Sequence, residues 1–125
     1  MTRRILLIAA AVSLSGAAGA QAHARLERAM PRVGETVRAS PRELRLWFSE
    51  SLQPELSSVI LVGPGGRVVA TGQLAIEPKD RRQIVVPLPA PLAPGAYRVD
   101  WRATSRDTHR TDGDYRFNVA PNLAP

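Results

Sequence analysis

Apolar and polar residues alternate in short runs along most of the chain after residue 23. The alternation is clearest at Leu44, Leu46 and Phe48, and again at Tyr115 and Phe117. Successive side chains of a strand point to opposite faces of a sheet, so a period of two residues predicts half-buried β-strands. Runs of this kind predict seven strands, at residues 24–30, 43–48, 58–62, 67–71, 83–88, 97–103 and 114–119.

Turn-forming residues separate these runs. The glycines of Gly63-Pro64-Gly65-Gly66 predict a hairpin between the third and fourth strands. Four prolines in residues 87–95 withhold backbone donors and predict a connection there. The stretch from Leu92 to Tyr97 resembles a tyrosine corner, in which the phenol bonds upstream backbone. The predicted fold class is therefore all-β, a seven-stranded Greek-key sandwich or barrel of immunoglobulin-like or cupredoxin-like type.

The first 22 residues are typical of a secretory signal peptide. Arg3-Arg4 is followed by an apolar stretch from Ile5 to Val12 and by Ala20-Gln21-Ala22, an A-x-A cleavage pattern. The apolar stretch is too short to span about 30 Å of hydrocarbon. We expect residues 1–22 to be removed, 23–120 to form one domain and 121–125 to be a tail. Cleavage after Ala20 and export by the twin-arginine route stay open.

Composition and charge exclude several classes of function. The 125 residues are enough for one domain, and the absence of cysteine excludes disulfides, zinc fingers and iron–sulfur clusters. Loss of Arg3 and Arg4 leaves 15 of the 17 basic residues against 11 acidic ones, a net charge of +4. These arginines alternate with acids, as in Arg42-Glu43-Leu44-Arg45, which argues against nucleic-acid binding.

Cleavage after Ala22 would make His23 the first residue of the mature protein. Its α-amine and its imidazole Nδ1 could then close a six-membered chelate ring on one metal ion. Such a nitrogen pair suits Cu(II), which favours tetragonal coordination and binds most tightly among the divalent first-row metals. An α-amine has an ordinary pKa of about 7.7–8.0, so binding should strengthen as the pH rises. The alternative is that His23 is only a polar residue near the terminus.

The chain contains one other histidine, His109, in the sequence Asp107-Thr108-His109. If this segment is extended, both side chains project to one face, where a carboxylate oxygen and an imidazole nitrogen could reach one metal. Together with His23 they would give three nitrogens and one oxygen. The alternative is a solvated loop with a local hydrogen bond, and spacing alone favours that alternative.

Other polar residues could support such a site. Glu50 follows the predicted strand 43–48 and could contact the His23 amine or a bound water. Asp112 and Asp114 are reserve oxygen ligands, although their position around Gly113 predicts a turn. Trp101 is expected to pack in the centre of the sandwich. Metalloprotease, serine-hydrolase and phosphate-loop motifs are absent from the sequence, so no enzyme is predicted.

Several stretches, taken together, resemble the CopC family of periplasmic copper-binding proteins. They are His23-Ala24-Arg25-Leu26, residues 43–50, the run from Gly95 to His109, and Gly113-Asp114-Tyr115-Arg116-Phe117. The resemblance implies a seven-stranded Greek-key fold, periplasmic location and one Cu(II) per chain. It implies that His23, Asp107 and His109 are the ligands, with Glu50 in support.

The sequence departs from part of that family in its middle region. Some members carry a second, Cu(I) site in a methionine-rich loop with a histidine, but residues 61–74 here contain neither residue type. Thioether donors select Cu(I), so we expect Cu(II) only. The resemblance implies a copper carrier or buffer that serves homeostasis or resistance, a CopD-type inner-membrane transporter as recipient, and a monomer without membrane insertion.

Two other functions stay open. A copper-bound terminal histidine with a second histidine also resembles the brace of lytic polysaccharide monooxygenases, which would make the protein an oxidative enzyme. Asp107 as a ligand would occupy the position that oxygen needs. The third hypothesis is a metal-free immunoglobulin-like interaction module. The predicted fold alone is no evidence against it, since one fold serves many functions.

Overall fold

The computed structural model describes residues 23–121. The predicted signal peptide, residues 1–22, and residues 122–125 of the predicted tail 121–125 lie outside the described residues, so both stay predictions. Within the described residues no helix is long and apolar enough to cross a membrane.

The fold is all-β, as predicted, and its strands form two sheets. In chain order the strands are β1 (Leu26–Met30), β2 (Thr36–Val37), β3 (Glu43–Phe48), β4 (Ser58–Val62), β5 (Val68–Val69), β6 (Ala75–Glu77), β7 (Asp80–Pro87), β8 (Gly95–Thr104) and β9 (Arg110–Val119). Two single turns of 3₁₀ helix, Pro54–Leu56 and Pro64–Gly66, interrupt them.

The two sheets are mostly antiparallel and face each other. One has the order β1-β3-β7-β6 and the other the order β2-β9-β8-β4-β5. The longest pairing joins β8 to β9, with ten residue pairs from Gly95↔Val119 to Thr104↔Arg110. Because β8 and β9 run together for their whole length, the loop between them is held at one end of the sandwich.

The core lies between the two sheets and consists of the residues that alternate inward. Leu44, Leu46 and Phe48 of β3 are at most 1% exposed, as the alternation predicted. They pack with Val99 and Phe117 of the opposite sheet in one continuous cluster. Burial of such side chains stabilises a fold by about 1.5–3 kcal/mol each, so this cluster supplies the main cohesion between the sheets.

All seven predicted strands are present, but the sheets contain two further strands, β2 and β6. These have only two and three residues, which is too short for a period of two to be recognised.

A second difference concerns Asp112 to Asp114, where a turn was predicted. This prediction is wrong, because the segment lies inside β9, with Gly113 paired to Trp101 across the sheet.

Both predicted turn motifs are confirmed. Strands β4 and β5 pair as a hairpin, and Gly65 and Gly66 have φ angles of 76° and 78°, a region that residues with a Cβ rarely occupy. Tyr97 donates its hydroxyl hydrogen to the Ala93 carbonyl at 2.5 Å, which is the bond of a tyrosine corner. The proline-rich segment after β7 forms the connection to β8.

Candidate metal centre

The candidate site begins with the loop between β8 and β9. Ser105 and His109 close this loop by a backbone bond of 2.9 Å from the Ser105 N–H to the His109 carbonyl. Thr108 has a φ of 70°, a conformation that few residues with a Cβ adopt. The segment is therefore a tight turn, because the chain must reverse here for β9 to pair with β8. The extended alternative does not hold, and the loop with a local hydrogen bond, which spacing alone favours, is what the structure contains.

The turn brings the Asp107 carboxylate against the His109 ring. Asp107 Oδ2 lies 3.0 Å from His109 Nδ1, although both side chains are about half exposed. Ser105 donates its hydroxyl hydrogen to the other carboxylate oxygen. These hydrogen bonds from Ser105 and His109 lower the pKa of Asp107 to about 2. The carboxylate is therefore ionised at all ordinary pH values, and it fixes the orientation of the imidazole.

His23 reaches the same place from the other end of the described chain. The centroids of the His23 and His109 rings are 5.3 Å apart, and the rings are inclined by 67°. With metal–imidazole bonds of about 2.0 Å, one ion between the rings could contact a nitrogen of each. The structure thus brings together His23, Asp107 and His109, the three residues that the sequence selected. Their role as ligands stays a prediction.

A bulge in β1 shapes the approach of the chain to this site. Leu26 pairs with Phe48, whereas Arg28 already pairs with Trp47, so Glu27 is the extra residue. Bulges bend a strand and change the direction of the segment beside it. Before the bulge, residues 23–25 leave the regular ladder and run along the end of the sandwich toward the loop at 105–109.

Two hydroxyl side chains hold this first segment. The Ser49 hydroxyl accepts a bond of 2.8 Å from the Arg25 N–H and donates one of 3.2 Å to the His23 carbonyl. The Thr111 hydroxyl donates a bond of 2.6 Å to the carbonyl of Ala24. Sequence reasoning missed both residues, since a single serine after a strand or a single threonine within one carries no recognisable signal.

Glu50 lies next to Ser49 and is half-buried. Within residues 23–121 its carboxylate makes no hydrogen bond or ion pair with a side chain. Its predicted role in supporting the His23 amine stays a prediction. Asp112 and Asp114 are exposed, because they alternate along β9 with the residues that face inward and so lie on the outer side of the strand. They are poorly placed as reserve ligands.

Trp101 is close to the site and away from the centre of the core. Its ring is partly exposed and packs edge-to-face on Phe48, with centroids 5.2 Å apart. The expected central position is therefore wrong, because Trp101 is only partly buried and packs against the margin of the core cluster. There its indole covers Gly113 and, with Ala24, lines an open cavity of about 450 Å³.

The described side chains do not by themselves complete a metal site. In residues 23–121 no group of three or more His, Cys, Asp or Glu side chains is arranged to hold a metal ion. The predicted site has one further donor besides these side chains, the main-chain nitrogen of His23. This nitrogen becomes a free amine only after cleavage. Two nitrogen-bearing rings beside a fixed carboxylate nevertheless match the nitrogen and oxygen ligands that Cu(II) prefers.

Comparisons with known proteins agree with this architecture. The CopC domain family model matches residues 26–120. Protein YobA of Escherichia coli (strain K12) is 37% identical over 98 residues, which are 78% of this chain and 79% of that protein. Copper resistance protein C of Pseudomonas syringae pv. tomato is 34% identical over 123 residues, covering 94% and 95% of the two chains.

Two solved structures are also similar. The crystal structure of CopC from Methylosinus trichosporium OB3b matches with a TM-score of 0.76 and 30% identity, covering 82% of this chain and 99% of that one. PcoC, a methionine-rich copper resistance protein from Escherichia coli, matches with a TM-score of 0.72 and 37% identity, covering 78% and 99%. Both likenesses extend over nearly the whole of the solved chains.

Proposed function

This chain belongs to the CopC family, and from that premise we propose that it is a periplasmic protein that binds one Cu(II) ion as cargo for copper homeostasis or resistance. The observation that carries the proposal is the meeting of His23 and His109 at 5.3 Å beside the ionised Asp107. The names of two relatives, copper resistance protein C and the copper resistance protein PcoC, support it.

The proposed ligands are the amine and imidazole of His23, the His109 imidazole and an oxygen of Asp107. The chelate by His23 supplies two nitrogens from one residue, so little chain entropy is lost on binding. The charge on Asp107 offsets part of the charge of Cu(II). Exposure of Asp107 and His109 leaves the ion open to a receiving protein, as a carrier requires.

The proposed oxidation state rests on the donors. PcoC is described as methionine-rich, whereas Met30 is the only methionine from residue 23 onward. Met30 lies at the end of β1 remote from the Phe48 end that holds the site. Nitrogen and carboxylate ligands favour Cu(II) over Cu(I). We therefore propose a single Cu(II) site, no catalysis, and delivery to a CopD-type transporter of the inner membrane.

The first test is a Cu(II) titration followed by electron paramagnetic resonance. Protein that begins at His23 is compared with the same protein carrying one extra residue ahead of His23, which removes the free histidine amine. We expect the first form to bind one Cu(II) with a tetragonal, nitrogen-rich spectrum. The second form loses a donor outright and should lose at least the roughly 10- to 100-fold in affinity that is typical of removing a group that only orients a ligand.

Equal binding by the two forms would show that the His23 amine and imidazole do not chelate the ion together. No binding by either form would favour the metal-free interaction module. The same samples are incubated with peroxide and a polysaccharide. Turnover by the copper-loaded form would contradict the carrier proposal and favour the oxidative enzyme.

A further inference from the structure

Residues 23–25 are held from both sheets of the sandwich by hydroxyl side chains. Ser49 follows β3 in the four-stranded sheet, and Thr111 belongs to β9 in the five-stranded sheet. Ser49 contacts the His23 carbonyl and the Arg25 N–H, while Thr111 contacts the Ala24 carbonyl between them. Three consecutive residues are therefore tied at three backbone atoms by two side chains.

These bonds replace the backbone ladder that the segment lacks. Strand β1 begins at Leu26. Ahead of the strand, the Ser49 N–H donates one backbone hydrogen bond of 2.9 Å to the Arg25 carbonyl. Ala24 is 1% exposed, so its carbonyl has little access to water. A buried backbone carbonyl without a partner costs free energy, and the Thr111 hydroxyl satisfies it.

Thr111 also links the two halves of the candidate metal centre. It lies two residues after His109 and at the start of β9, where it pairs with Ala103. The same short piece of chain that places the His109 ring therefore holds Ala24, the neighbour of His23. A displacement of either half changes the distance between the two histidine rings.

We infer that Ser49 and Thr111 are positioning residues that hold the first residues of the mature chain in place for metal binding. This inference rests on the proposed function, because it assigns the two hydroxyls to the Cu(II) site. Chain ends are otherwise disordered unless they are tied down, and ordering a residue costs conformational entropy. The two hydroxyls pre-organise His23 before the ion arrives, which strengthens binding without contact to the metal.

The test uses isosteric and conservative variants in protein that begins at His23. Thr111→Val keeps the shape of the side chain but removes the hydroxyl, and Thr111→Ser restores it; Ser49→Ala and Ser49→Thr form the second pair. The matched control is Ser40→Ala. Ser40 makes a comparable bond of 2.7 Å from the Leu92 N–H, before β3 and so at the opposite end of the sandwich.

Two quantities are measured on each variant. The first is Cu(II) affinity by competition titration, with the paramagnetic resonance spectrum. The second is the amide hydrogen exchange rate of Arg25 in metal-free protein. Thr111→Val leaves the Arg25 bond to Ser49 untouched, so faster exchange there reports loosening of the whole segment.

We expect Thr111→Val and Ser49→Ala to weaken Cu(II) binding by about 10- to 100-fold, the loss typical of residues that orient metal ligands. Arg25 exchange should accelerate in both. Thr111→Ser and Ser49→Thr should stay within about threefold of the unchanged protein, and Ser40→Ala should retain its affinity even if its melting temperature falls.

Unchanged affinity and unchanged Arg25 exchange in Thr111→Val would overturn the inference. Equal loss of affinity in Ser40→Ala would also overturn it, since the effect would then be general destabilisation. If the unchanged protein does not bind Cu(II), the proposed function fails. The exchange rates then decide separately whether the hydroxyls order the segment.

Discussion

At the scale of single residues, the Asp107–His109 pair shows what a short spacing can and cannot tell. The sequence identifies the two side chains as a potential pair, and the turn brings them to 3.0 Å. A loop with a local hydrogen bond would show the same contact. The His23 ring beside them adds a second imidazole from the start of the described chain, which favours the metal-site interpretation, while ligation by the three residues stays a prediction.

The Asp107→Asn substitution tests the carboxylate in this pair. Hydrogen bonds lower the pKa of Asp107 to about 2, so in the unchanged protein its charge is present throughout the pH range of binding. We expect Asp107→Asn to weaken Cu(II) binding by about 10- to 100-fold at every pH from 5 to 8. Titrations across this range measure the effect, with Asp112→Asn as the exposed control.

The loss of affinity on acidification should persist in Asp107→Asn. Protons compete with copper for the nitrogen donors, so binding weakens as the pH falls even when the carboxylate is absent. A variant whose affinity no longer depended on pH between 5 and 8 would contradict this assignment and would make Asp107 the group that titrates.

At the scale of elements, β9 is the strand that joins the core to the candidate site. Its inward residues Tyr115, Phe117 and Val119 are buried, while its first residues lie beside the loop that carries His109. Gly113 separates these two parts. The indole of Trp101 lies directly over it, where any other residue would place a side chain.

Gly113→Ala should therefore destabilise the protein. An added Cβ would lie 2.5 Å from Cζ2 of Trp101, so the indole would have to move off β9. Overpacking of this kind costs about 1–3 kcal/mol, and urea unfolding measures it as a lower free energy of unfolding. Asn118→Ala, at an exposed position of the same strand, is the control and should change stability by less than about 0.5 kcal/mol. Equal stability of Gly113→Ala and the unchanged protein would show that Trp101 is free to move.

Over the molecule as a whole, the continuous core buries a titratable side chain and disfavours its charged form. The Tyr115 hydroxyl is buried without a hydrogen-bond partner among the described residues, and burial raises its pKa above the ordinary value of 10.0. The folded protein therefore keeps the phenol neutral at a pH where the unfolded chain would ionise it.

The sign of the resulting pH dependence follows from this difference. Below pH 10 both states are protonated and the group contributes no pH dependence. As the pH rises above 10, the unfolded state loses its proton first, so the folded state loses stability. We expect Tyr115→Phe to remove most of this alkaline loss and, because it deletes an unpartnered hydroxyl, to retain or increase stability at pH 7.

Thermal unfolding between pH 8 and 11 measures this effect. Tyr97→Phe is the contrasting variant, because the Tyr97 hydroxyl bonds the Ala93 carbonyl and its loss should lower stability at pH 7 by about 1 kcal/mol. An alkaline loss that is the same in Tyr115→Phe and in the unchanged protein would contradict the assignment to Tyr115.

Features that depend on neighbouring residues can be predicted from the amino-acid sequence alone. Alternation predicts seven strands and the inward faces of β3 and β9. Glycine and proline predict the β4–β5 hairpin and the connection before Tyr97. The sequence also selected His23, Asp107 and His109, because histidine is rare in this chain and the pattern around it resembles a known family. These signals are local, since they arise from side-chain direction and from backbone conformations that few residues adopt.

The meeting of distant segments could not be predicted from the sequence and is seen in the folded chain. The tight turn at residues 105–109, the continuation of β9 through Gly113, and the hydroxyls of Ser49 and Thr111 on residues 23–25 all depend on pairings between remote parts of the chain. A lone serine or threonine is as common on a surface as in a site, so its neighbours along the chain do not reveal its partner. Such contacts depend on sheet register and on the bend of β1, and both are set by packing of the core as a whole.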